Sequence, residues 1–325
     1  MYFIILFPVG LLFSQLIFRD RKDAKMDSNS GLMEKKGKRN GIIAISIIIE
    51  RDFPYNKTIS EVIRVSEKII IGVISHKPYQ MPDNPIYVPI EVGAKMRSEH
   101  FFEHRDDLGD NISEKNPSFC ELTGYYYAYK NLQSDVMGFV HYRRYFLRSG
   151  LFVRKSLDHV LTKKDILEKL NRVDFILPKK RHYFIESNYH HYCHAHKKEA
   201  LDKTAEIIKE MYPDYYPFFL SYMKKTSGHY FNMFIARKET IDGYLDWLFS
   251  ILFRLEKELD LKQYQGYDKR VFGFISERLL DVYINKNHLT YVNQKYAFME
   301  KQNWFRKIFR FLKRCFSKNN DTTRQ

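Results

Sequence analysis

Three short stretches of this 325-residue chain gather side chains able to bind phosphate and move protons. His141, Tyr142, Arg143, Arg144 and Tyr145 stand in a row directly after an apolar run at 136–140. Ser75, His76, Lys77, Pro78 and Tyr79 follow a second apolar run, and Lys179, Lys180 and Arg181 a third, with Tyr183 and Glu186 a few residues on. Arginine grips phosphate through parallel N–H donors and keeps its charge. Histidine and carboxylate are the groups that exchange protons near neutrality. Asp106, Asp107, Asp110 and Asn111 crowd around Gly109, which is more acid than a turn needs; a turn and a functional loop both stay open. His190, His191, Cys193, His194 and His196 fall within seven residues. A helix would present His191 and His194, or His190 and His194, as a pair. Structural zinc draws four ligands, usually as two separated pairs, and no second pair is evident, so a solvated or substrate-lining face is the competing reading.

The surrounding elements alternate. Asn116-Pro117 ends what precedes it, because a residue before proline avoids the helical region. Ser118 and Glu121 have capping-box spacing, and Leu122, Tyr125, Tyr126 and Tyr129 then share one helical face. Residues 131–135 turn into a strand at 136–140. Further strands are expected at 42–49, 69–75, 173–177 and 230–236, the last with Asn232 inside it. Helices are expected at 58–67, 165–170 and from a Thr240 cap, where Ile241, Tyr244, Leu245, Leu248, Ile251, Leu252, Leu255 and Leu259 form a core stripe. Another, at 269–283, sets Arg270, Gly273 and Glu277 along one side; Gly273 would admit a close backbone, and Arg270 with Glu277 is either a structural pair or part of a site. Residues 80–117 read as loop. Strand–helix alternation gives an α/β fold with a largely parallel sheet, and ligands bind such sheets beyond the carboxyl ends of the strands, where the polar clusters lie.

The net charge is +15, but residues 19–39 contribute +4 and residues 301–318 contribute +7 of it. Excess confined to two ends beside apolar segments suits an anionic membrane surface, not a nucleic-acid groove. Residues 1–18 are apolar and uncharged, marginal for the roughly 20 residues that span a bilayer. They read as a single anchor that leaves the rest cytoplasmic, or as sequence upstream of a true start at Met26 or Met33. Residues 19–40 read as a linker. In 296–318, Trp304, Phe305, Ile308, Phe309, Leu312 and Phe316 oppose a basic face, as in an interfacial helix or a partner-docking one; 319–325 is a polar tail. Cys120, Cys193 and Cys315 form no disulfide framework and fit a reducing compartment.

The runs SHKPYQMP, DDLGDNIS, NPSFCELTGYYYAYKN, GFVHYRRYF, DFILPKKRHYFIESNYHHYCHAH, YFNMFIARKETIDGYLDWLF and RVFGFISERLL occur in one order. Over residues 68–290 the chain resembles a bacterial family of capsular and exopolysaccharide biosynthesis, long catalogued as a domain of unknown function and glycosyltransferase-like. The resemblance implies a GT-A-like α/β domain, here 41–295, with a mixed, mostly parallel sheet flanked by helices. It implies a nucleotide-sugar donor, UDP-linked by preference, and a saccharide acceptor that is lipid-linked or polymeric. The site would face the cytoplasm at the membrane.

Most such enzymes hold a divalent metal on D-x-D, which this chain lacks. Mn²⁺ or Mg²⁺ stays open without that motif; no cofactor is otherwise called for. Arg143 and Arg144 are expected to neutralise the departing diphosphate in its place, with His141 and Arg143, or Tyr142 and Arg144, sharing a face. Glu186 is the first candidate base and Asp110 the second. His76, Lys77, Asp107, Asn111 and Lys179 are assigned to the donor, while Tyr142, Asn232, Arg270 and Glu277 serve acceptor or structure. A phosphotransferase lacks its usual Gly-rich loop here, and a membrane scaffold would need no polar clusters at successive strand ends.

Overall fold

The computed structural model describes residues 67–150, 155–183 and 185–300, plus four two-residue strands nearer the N-terminus. The chain divides into two units, Met1–Val65 and Ser66–Gln325. In the first, Ile4–Ile5 pairs with Leu16–Ile17 and Lys38–Arg39 with Ile42–Ile43, both antiparallel. The expected strand at 42–49, beyond that fragment, and the helix at 58–67, short of its last residue, lie outside the described residues. So do the side chains of segment 1–18 and all of the basic helix past residue 300.

The second unit is built on one sheet. Its strands are β1 (Ile69–Ser75), β2 (Tyr87–Glu91), β3 (His104–Arg105), β4 (Val136–His141), β5 (Arg144–Phe146), β6 (Phe175–Pro178), β9 (Phe234–Arg237), β10 (Tyr291–Gln294) and β11 (Tyr296–Phe298). A separate ribbon pairs β7 (Arg181–His182) with β8 (Ser227–Gly228). The main order is β10-β6-β9-β4-β1-β2-β3, with β5 and β11 joined off β4. Only β9 runs against its neighbours on that path, so the sheet is mixed and mostly parallel. This is the α/β class expected from the sequence.

The helices are α1 (Asn116–Phe119), α2 (Leu122–Asn131), α3 (Lys163–Leu170), α4 (Asn188–Ala195), α5 (Lys198–Met211), α6 (Tyr216–Lys224), α7 (Lys238–Glu258) and α8 (Val271–Lys286). Alternate strand residues feed opposite faces: Met137 and Phe139 join Tyr125, Leu245 and Ile275 on one, Val136 and Val140 join Ile166 and Leu161 on the other. Gly138 is needed where β4 meets β9, since a Cβ there would lie 2.6 Å from Ile235 Cγ1.

Several local expectations are corrected. Residues 80–117 contain β2 and β3; Pro89 fits in β2 because β3 pairs only with Ile90 and Glu91 and leaves its missing N–H at an edge. Asn116 is helical and opens α1 with Pro117 in its first turn, where proline's absent N–H has no partner to lose. No capping box forms: Cys120, at φ 55°, breaks α1 from α2, and Glu121 sends its side chain elsewhere. The long helix starts at Lys238, so Thr240 lies inside it and is no cap. The strand expected from residue 230 begins at Phe234, and Asn232 stands in the turn before it.

Candidate active site

The carboxyl ends of β1, β4 and β6 and the entry to β9 meet at one edge of the sheet, because β9 is reversed relative to those three. His141 ends β4 and Arg144 begins β5, and the two pair across a turn formed by Tyr142 and Arg143. Tyr142 is buried, with His76 edge-on at 5.4 Å and Tyr79 at 4.8 Å, so it packs beneath the edge and does not face a ligand. The expected alternation of an extended segment is therefore corrected: the tight turn puts His141 opposite Arg144, not beside Arg143.

Arg144 is mostly covered. Its guanidinium lies 4.3 Å from the Phe231 ring centroid and 5.7 Å from that of Phe298. Among the described residues no carboxylate approaches it within ion-pair distance. Burial lowers its pKa, opposed by Glu277 and Glu121. Arg143 stands further out and pairs with Glu300 at 3.5 Å. Burial and the charges of Arg144 and Arg143 push the His141 imidazole down to about 2, so it is neutral. Its Nδ1 accepts the Arg143 N–H at 3.4 Å, which leaves Nε2–H as a donor. His76 and Lys77 follow β1 at the surface, and partial desolvation together with the charges of Lys77 and Arg143 lowers the His76 pKa. Lys77 lies 5.2 Å from the Tyr142 ring. A cleft of about 450 Å³ lined by Pro78, Met96, Arg97, Ser98, Glu99 and Phe101 adjoins this side.

Helices supply the acids. Glu121 Oε1 accepts Asn232 Nδ2 at 2.9 Å, and its Oε2 lies 3.8 Å from Arg270 Nη2. Arg270 also donates to Cys120 Sγ at 3.1 Å. Gly273 does not serve a close backbone approach, as a Cβ there would meet Cys120 in ordinary contact at 3.6 Å; its carbonyl accepts Asn232 and Ser276. Arg270 and Glu277 are not a pair: Glu277 lies 3.5 Å from Arg278 and accepts the Phe231 N–H at 3.0 Å. Burial raises the Glu277 pKa.

The acidic loop stands apart. Asp106 is fully buried and accepts from Gly93 N at 2.7 Å, Ala94 N at 3.0 Å, Ser113 Oγ at 2.6 Å and Thr123 Oγ1. Asp107 pairs with Arg105 at 3.0 Å, and Asn111 bonds the carbonyls of Asp107 and Gly109. Asp110 is tied through its backbone to Asn131, the last residue of α2, just before β4 begins. His141 is at the other end of β4, roughly 17–20 Å along the strand. Asp110, the second candidate base, is thus corrected, since it stands at the far end of α2; Asp107 and Asn111, assigned to the donor, are held within their own turn after β3.

Glu186 lies between the imidazoles of His191 and His194, each Nδ1 at 3.0 Å. Burial raises its pKa, but hydrogen bonds from His191 and His194 outweigh that and leave it low. Two of the three α4 histidines thus meet a carboxylate, while His190 Nδ1 lies 2.9 Å from Ser187 Oγ. Among the described residues no group of three or more His, Cys, Asp or Glu is placed to hold a metal. The donor set at the edge, His141 with Arg143, Arg144 and Arg270, does not fit a divalent ion. Lys179 stands exposed one residue beyond β6. Arg181 stood in a polar cluster without a role of its own, and Phe231, Glu121 and Arg278 were missed as site residues; the aromatic and acid partners come from turns and helices distant in sequence. Among the described residues no helix is long and apolar enough to cross a membrane.

Residues 69–288 match the family described as a domain of unknown function (DUF4422). A solved structure described as WbbM bifunctional glycosyltransferase, apo, is similar, with a TM-score of 0.66 and 30% identity over 72% of this chain and 46% of that one. The chain thus spans under half the length of that protein. No curated protein matches.

Proposed function

The chain belongs to the DUF4422 family, and from that premise we propose that it is a glycosyltransferase moving a sugar from a nucleotide diphosphate donor to a saccharide acceptor. One observation carries this reading: Arg144, covered and without a carboxylate partner, stands at the strand edge where an α/β sheet receives its ligand. As the bond from the sugar carbon to phosphate breaks, negative charge gathers on the leaving diphosphate. Arg144 meets that charge in a site partly shielded from water, where fixed donors act most strongly. Arg270 and the neutral His141, as an Nε2–H donor, stand around the same position. The acceptor hydroxyl gives its proton to a carboxylate. Glu277, its pKa raised, suits that role better than Glu186, which two imidazoles keep acidic.

His76, Lys77 and Lys179 are proposed as donor contacts along the edge. The donor is proposed to be UDP-linked, the acceptor lipid-linked or polymeric, and the pathway capsule or exopolysaccharide assembly. The basic termini would hold the enzyme at the cytoplasmic face of an anionic membrane. The test is a panel of UDP-, GDP- and CMP-sugars, read by thermal shift and by release of free nucleotide. A donor that neither stabilises the protein nor is turned over, across the whole panel, would sink the reading.

A further inference from the structure

Phe231 has a left-handed backbone, φ 80°, followed by Asn232 at φ 50°. A non-glycine residue adopts that conformation only where its surroundings enforce it, and such outliers cluster at ligand sites. The enforcement here is visible. The Phe231 N–H is held by Glu277 at 3.0 Å, and Asn232 is bonded to Glu121 at 2.9 Å and to the Gly273 carbonyl at 3.2 Å. The ring this turn presents is shared by two guanidinium groups, Arg144 at 4.3 Å and Arg181 at 5.3 Å from its centroid.

The two arginines come from separate parts of the chain. Arg144 opens β5, while Arg181 begins the β7–β8 ribbon and pairs there with Gly228. Among the described residues neither has a carboxylate within ion-pair distance. The ribbon itself is acid-free: Lys179, Lys180, Arg181 and His182 on one side, Lys224 and Lys225 on the other. A ring positions cations and attracts each modestly, but it does not neutralise them. Two like charges brought to one ring repel, and they are satisfied by an anion that both can reach.

We infer that Arg144 and Arg181 form a clamp for a diphosphate group, with Phe231 as its floor and Glu277 as the positioning residue that sets the floor. Two neighbouring phosphates offer oxygens to two forks, whereas a single phosphate satisfies one. The clamp follows from this geometry; only the identity of the molecule carrying the diphosphate rests on the glycosyltransferase reading. That molecule is the nucleotide-sugar donor or a lipid-carried acceptor. Ile185, 93% exposed and four residues past Arg181, would lie along the lipid in the second case.

The experiment is calorimetry and thermal shift on the full chain with inorganic pyrophosphate, inorganic phosphate, UDP and farnesyl diphosphate. The variants are Arg181→Ala, Arg181→Lys and Lys203→Ala; the last removes one charge from α5, where Lys203 pairs with Glu206. Wild type should bind pyrophosphate at least tenfold more tightly than phosphate. Arg181→Ala should abolish that preference, Arg181→Lys restore part of it, and Lys203→Ala leave it intact. Whichever of UDP and farnesyl diphosphate loses tenfold in Arg181→Ala is the clamp's ligand. No pyrophosphate preference in wild type, or an undiminished one in Arg181→Ala, overturns the clamp. Should pyrophosphate behave as expected while UDP fails to bind, the clamp stands and the UDP-linked donor falls.

Discussion

His141 and Arg144 face each other across a two-residue turn, and the imidazole stays neutral because burial and that guanidinium both oppose its charging. The consequence for stability has a definite sign. Unfolded, His141 titrates near 6.5; folded, it titrates at about 2. Between those values the unfolded chain binds the extra proton, so stability falls as pH drops from about 6.5. The side chain is partly exposed, so the slope is put at roughly 0.5–1 kcal/mol per pH unit, below the full 1.4. Denaturant midpoints at pH 7 and pH 5 should differ more for wild type than for His141→Gln. Equal losses would mean the imidazole is already charged in the fold.

Arg144→Met should separate activity from stability. Removing a donor aimed at developing charge typically costs about 10²–10³ in kcat. Replacing a covered, uncompensated guanidinium with an apolar chain of similar length is neutral or stabilising, by up to a few kcal/mol. The expected pair of results is a turnover loss of about a hundredfold and an unchanged or higher Tm. A parallel measurement in EDTA should leave wild-type turnover within about twofold, because the edge offers cations where a metal would need acids. Activity abolished by EDTA and restored by Mn²⁺ would remove Arg144 from that role.

Asp106 and Asp110, four residues apart, should behave oppositely. Asp106→Ala strands four donors, two of them backbone N–H groups, inside the protein. A loss of about 3–5 kcal/mol in unfolding free energy is expected. Asp110→Asn, at the foot of α2, should leave kcat/KM within about twofold. An Asp110→Asn variant that folds but fails to turn over would return that loop to the site.

How much of this was legible beforehand depends on what each residue answers to. β1, β4, α7 and the polar clusters at strand ends follow from periodicity and composition, and they emerged at nearly the expected positions. β2 was hidden because Pro89 argues against a strand, and only the two-residue β3 at its flank makes it acceptable. The acidic loop misled because composition cannot distinguish a carboxylate that binds a ligand from one that collects four local donors. The His141–Arg144 pairing was missed for a related reason: HYRR reads as extended unless the hairpin turn is known. Phe231 and Arg181 meet Arg144 only through tertiary contact, and no local pattern announces that.

Glu277 and Glu186 offer the sharpest contrast in proton chemistry. Burial raises the Glu277 pKa, which makes its carboxylate a stronger base near neutrality, and it accepts the N–H of Phe231, whose ring Arg144 covers. Glu186 is held low by His191 and His194. A base must be ionised to accept a proton, so kcat/KM should fall as pH drops through the raised pKa of Glu277. Glu277→Gln, which can still accept the Phe231 N–H through its amide oxygen, should lower kcat by about 10²–10⁴ and remove that acid limb. Glu186→Gln should keep both the limb and kcat within about threefold. If instead Glu186→Gln erases the limb and Glu277→Gln keeps it, the proton goes to the histidine-clamped carboxylate and the assignment reverses.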